Sequence, residues 1–141
     1  MMKPSPAPVR RYDKGERRYR HVGKGPLPRI VFDSENPRKW FGKCPSTLNS
    51  SDHRRLVNEA IPGSNGDRDL PFPKTIYAVH EGAIYEGQTT DRGRSYHGYP
   101  YHGKLPQELL DSLRQVARNK GCEKAFDRWV NDHITVHGTW T

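Results

Sequence analysis

Lys74-Thr-Ile-Tyr-Ala-Val-His80 and Ala83-Ile-Tyr-Glu-Gly-Gln-Thr89, the two halves of KTIYAVHEGAIYEGQT, flank the dipeptide Glu81-Gly82. Both halves are rich in β-branched and aromatic residues. The connector is short and polar, with glycine where a positive φ is wanted, so the stretch from about 74 to 89 reads as an antiparallel hairpin. A two-residue turn also fixes the register, placing His80 opposite Ala83, Val79 opposite Ile84 and Ala78 opposite Tyr85. Ile76, Ala78, His80 and Tyr85 then share one face, and Tyr77, Val79, Ile84 and Glu86 the other. Neither face is purely polar. One is expected to be covered by helices and the other partly occluded by the tyrosine-rich segment that follows.

Outward from the hairpin, the remaining elements are legible from their periodicity. Residues 51–61 place Leu56, Val57, Ala60 and Ile61 at helical spacing, with Ser50 or Ser51 as the cap and Pro62-Gly63 as the stop. A C-terminal αα unit over about 106–134 begins at Pro106 and breaks at Gly121. Leu109, Leu110, Leu113, Val116 and Ala117 form its first stripe, and Phe126, Trp129, Val130 and Ile134 its second. Two brief β-prone runs, 29–33 and 39–43, are separated by Asn36-Pro37, which is turn chemistry. Residues 62–73 read as a loop. The fold class is therefore α+β: a small antiparallel sheet built on the hairpin, one short helix and a helical pair.

The charge is unevenly spread. Of the net +8, residues 1–29 carry nine Lys/Arg against Asp13 and Glu16, and the remaining 112 residues are almost balanced. Residues 1–28 hold five prolines and little to bury, which predicts a basic, mobile arm preceding a single domain at 29–141. Such an arm suits attraction to phosphates or to an acidic protein. Cys44 and Cys122 are too few for a disulfide framework and lack zinc-ligand spacing, so they read as separate thiols in a reducing compartment. No apolar run follows the first cations and none is long enough to span a bilayer. A cytoplasmic location with no membrane partner is the expectation.

The candidate site is RGRSYHGYPYHGK, residues 92–104, which packs two histidines, three tyrosines and three cations into thirteen residues without a carboxylate. It lies between a strand and a helix, where scaffold-borne loops hold functional groups. If glycine bends bring them together, His97 and His102, with His80 as a third participant, could act as acid and base. Arg92, Arg94 and Lys104 would neutralise developing phosphoryl charge, and Tyr96, Tyr99 and Tyr101 would stack on unpaired bases. That set suits RNA cleavage of the toxin or processing kind, because the adjacent 2′-hydroxyl is the nucleophile. Neither a cofactor nor a metal is then required. RNA is favoured over DNA as the partner. The alternative is a non-catalytic module that binds nucleic acid or protein through the basic arm. The sequence sets no oligomeric state.

Overall fold

A computed structural model of the chain describes residues 10–12, 25–36, 38–66 and 68–137. Most of the expected arm, 1–9 and 13–24, lies outside the described residues, as does Pro37 of the expected Asn36-Pro37 turn.

The hairpin forms as its sequence dictates. β5 (Thr75–His80) and β6 (Ala83–Gln88) pair antiparallel with His80 opposite Ala83, Val79 opposite Ile84 and Ala78 opposite Tyr85. Glu81 and Gly82 both take positive φ, 51° and 91°, the mirror-image turn whose twist matches that of the strands. Gly82 has a second reason to be glycine: a Cβ there would lie 2.4 Å from the Ala125 Cβ, because the turn rests on the start of a C-terminal helix.

Around this hairpin the chain assembles a five-stranded sheet. Naming β1 (Arg11–Tyr12), β4 (Ile61–Pro62) and β7 (Ser95–Pro100), the order is β1-β7-β6-β5-β4, antiparallel except for the β1–β7 pair. A separate ribbon pairs β2 (Arg29–Phe32) with β3 (Trp40–Lys43), as the two brief runs suggest. A third ladder, unforeseen, joins β8 (Gly103–Pro106) and β9 (Ile134–His137) in parallel.

Helices cover both faces of the sheet. α1 (Ser50–Glu59) lays Leu56 and Val57, with Ala60 just beyond its end, on Ile76, Ala78 and Tyr96. Its cap is Asn49 rather than Ser50 or Ser51. The Asn49 side chain accepts from the Asp52 amide at 2.9 Å, and the Asp52 carboxylate accepts from the Asn49 amide at 3.1 Å. On the opposite face α2 (Gln107–Asn119) and α3 (Glu123–His133) bury Leu109, Leu110, Leu113, Ala117 and Phe126 against Val79 and Ile84. These last two are fully enclosed at the centre of the molecule. Among the described residues no helix is long and apolar enough to cross a membrane.

Two expectations need correction. Residues 10–12 do not belong to a mobile arm. Arg11 and Tyr12 pair with Ser95 and Tyr96, and the Arg10 guanidinium donates to the carbonyls of Val57 and Ala60 at 3.0 Å. A cation that bonds the orphan carbonyls at the end of α1 complements the negative end of its dipole. The tyrosine-rich segment is not a loop either. Residues 95–100 form β7, and Pro100 is accommodated because it is the strand's last residue, beyond the two that β1 pairs.

Candidate functional site

The strand register decides what residues 92–104 can do. Gly87 opposes Gly98, and Glu86 opposes Tyr99. Tyr99 therefore shares the Tyr77–Glu86 face, while Tyr96 points to the α1 face. Tyr96 is only 1 % exposed and its hydroxyl donates to the Pro73 carbonyl at 2.7 Å. It has no ring surface to offer a base, which corrects its assignment to nucleic-acid binding.

Tyr99 is also engaged. Glu86, 6 % exposed, accepts from the Tyr77 hydroxyl at 2.7 Å, from the Gln88 amide at 3.2 Å and from the Tyr99 hydroxyl. A buried carboxylate survives only with such donors, each worth about 1.5–3 kcal/mol. Burial first, and then the neighbouring Glu86 charge, pushes both phenols above their ordinary range. Tyr101 is pushed up to about 12 for the same two reasons, and its hydroxyl donates to the Lys104 carbonyl. The tyrosines thus lock the sheet face rather than present free rings.

Over this face lies the β2–β3 ribbon. Trp40 meets Tyr99, Tyr101 and His102 edge-on, with ring centroids 5.9, 5.7 and 5.9 Å apart. The approach is close because Gly42 packs on the Pro100 backbone. A Cβ at Gly42 would lie 2.1 Å from the Pro100 oxygen.

His102 has a partner that the sequence reading missed. Its Nδ1 lies 3.3 Å from Nδ1 of His133, the last residue of α3. The parallel ladder explains the meeting: Gly103 opposes Ile134, so the residues immediately before them stand side by side. Trp129, one helical turn before His133, lies tilted against that imidazole with ring centroids 4.2 Å apart, and donates from Nε1 to the Tyr101 carbonyl at 3.1 Å. The Trp129-x-x-x-His133 spacing places both on one helix face, which was the available signal.

This contact has chemical content. For two imidazoles to hydrogen-bond through Nδ1, one must carry a proton there and the other a lone pair. In the neutral pair the first then has an accepting Nε2 and the second a donating Nε2–H. One base and one acid are set by a single bond. Neither Nε2 has a hydrogen-bond partner among the described residues.

The other expected participants lie elsewhere. His80 and His97 oppose Ala83 and Gln88, five residues apart on β6, which is roughly 17 Å along the strand and on opposite faces. His80 Nδ1 lies 3.2 Å from the Arg55 guanidinium beside α1, and the His97 ring lies 6.1 Å from that of Tyr99. The three histidines do not converge, because strand alternation sends His80 to the α1 side. Arg92, whose guanidinium rests over Phe72 at 5.5 Å, and Arg94 belong to the β6–β7 turn, at the far end of β7 from His102. Lys104, exposed on β8 two residues after His102, is the expected cation nearest to the pair along the chain.

Cys44 is buried, with its thiol pushed up to about 12 by desolvation, and Cys122 is half-buried; both are free. Among the described residues no group of three or more His, Cys, Asp or Glu side chains is placed to hold a metal ion.

Burial lowers the pKa of both paired imidazoles below the usual histidine value of 6.5. At His133 the neighbouring His102 adds to this and Asp132 opposes it. The unfolded chain therefore binds more protons than the native one just below pH 6.5. This contribution to stability is complete above that pH and is lost as the pH falls through the lowered native values. Melting temperatures measured from about pH 7.5 down to about pH 5 should fall accordingly, and the double variant His102→Ala/His133→Ala should flatten the slope. An equal slope in both proteins would assign the loss to other groups. Comparison of the chain with protein-family models, with curated proteins and with solved structures finds no match.

Proposed function

We propose that the chain is a metal-independent RNA-cleaving enzyme in which His102 and His133 are the general base and general acid. The observation that carries this reading is their 3.3 Å Nδ1 contact, which gives the two outer Nε2 atoms opposite hydrogen-bonding roles. The accepting Nε2 takes the proton of a ribose 2′-hydroxyl as its oxygen attacks the adjacent phosphorus. The donating Nε2–H protonates the departing 5′-oxygen while the shared proton crosses from one Nδ1 to the other, so that both imidazoles end neutral with their roles exchanged. One P–O bond forms, one breaks, and the product ends are a 2′,3′-cyclic phosphate and a 5′-hydroxyl. Lys104 supplies positive charge for the crowded phosphoryl oxygens.

Single-stranded RNA incubated with the protein in excess chelator should yield cyclic-phosphate ends, and a DNA strand of the same sequence should remain intact because it lacks the nucleophile. Absence of cleavage, with RNA retained on the protein, would replace this reading with that of a binding module. Equal cleavage of DNA would remove the 2′-hydroxyl from the mechanism.

A further inference from the structure

Phe32 and Trp40 oppose each other across the β2–β3 ladder, so their rings leave the same side of the ribbon. Both meet His102 edge-on, Phe32 at 5.1 Å and Trp40 at 5.9 Å. Their surroundings differ. Trp40 is half-buried against Tyr99 and Tyr101, whereas Phe32, at the rim of the imidazole pair, is 48 % exposed. The same ribbon and its turn carry Arg29, Arg38, Lys39 and Lys43 against Asp33 and Glu35, so an anionic chain is attracted along it.

We propose that Phe32 is the stacking platform for one unpaired base, and hence that the substrate is single-stranded rather than duplex RNA. In a duplex every base is already stacked on its neighbours and has no free π-face to give. A strand with splayed bases can place one on Phe32 while its phosphate reaches the adjacent imidazoles. This inference rests on the RNA-cleaving reading for its choice of ligand, and it moves the stacking role from the tyrosines of β7 to a residue outside that segment.

The test is binding of a labelled, unstructured 2′-O-methyl RNA, which lacks the nucleophile, and of the same sequence annealed to its complement, followed by fluorescence anisotropy on the full chain. Phe32→Ala should weaken single-strand binding roughly tenfold, and Phe32→Tyr should retain it. Duplex binding should be weaker in the parent and unchanged in both variants. Single-strand binding unaltered by Phe32→Ala would overturn the platform, as would equal losses for strand and duplex or no binding by the parent. Cleavage assays on unmodified RNA separate the two proposals. A platform effect without turnover would sink only the enzyme reading. Turnover with an unaltered KM in Phe32→Ala would sink only the platform.

Discussion

His133→Ala should slow RNA cleavage by a factor on the order of 10²–10⁴, and His102→Ala by a similar factor, since each removes one member of the proposed acid–base couple. The loss should appear in kcat with KM little changed, because neither imidazole is assigned to holding the strand. Combining the two substitutions should cost little more than either alone, since an unpaired survivor has lost the bond that sets its tautomer. His80→Ala is the control. His80 lies on the opposite sheet face beside Arg55, and its loss should leave the rate within about twofold. Equal activity in the parent and His133→Ala, with both folded by circular dichroism, would remove the pair from catalysis. A large loss in His80→Ala would point to chemistry on the α1 side.

Gly42→Ala should be the most damaging glycine-to-alanine change among the described residues. The added carbon would sit 2.1 Å from the Pro100 oxygen and 3.0 Å from its carbonyl carbon and nitrogen. All three are backbone atoms of a paired strand and cannot turn aside as a side chain would. Relief requires the β2–β3 ribbon to lift, which parts Trp40 from Tyr99 and Tyr101 and draws Ile30, opposite Gly42, away from the main core. Overpacking of this kind costs about 3 kcal/mol, equivalent to a fall in Tm of roughly 10 °C for a chain of this size. Gly25→Ala, where a Cβ meets nothing within 4 Å, should stay within about 0.5 kcal/mol of the parent in the same thermal melts. If both variants melt with the parent, the ribbon is not seated on β7 as described.

The elements differed in how much their residues revealed. The hairpin register was fully legible, because a two-residue turn with glycine second leaves one pairing and every later contact follows by alternation. The helices were legible to within a residue or two from their apolar spacing, since a stripe identifies a helix better than its ends. β7 was obscured by Gly98 and Pro100, which suggest a loop unless one knows that Pro100 is the last residue of the strand, beyond the stretch that β1 pairs. β8 and β9 are four residues each, and Ile134 extends the apolar stripe of α3, so nothing local marks where helix turns to strand. That ambiguity hid His133. The site was half legible: composition singled out His102, but pairing a residue from β7's exit with one from a helix end thirty-one positions away needs the tertiary ladder. The hairpin register already fixes the face of His80, but the faces of Tyr96 and His97 depend on the pairing of β7 with β6, which no local residue pattern sets.

The ladder between residues 103–106 and 134–137 has a bearing on synthesis. A nascent chain still holding residues beyond 133 within the ribosome can already own the hairpin and α2, yet nothing aligns its two imidazoles. β9, the last of the described strands to be synthesised, is the one that brings them level, so alignment of the pair is a late step of folding.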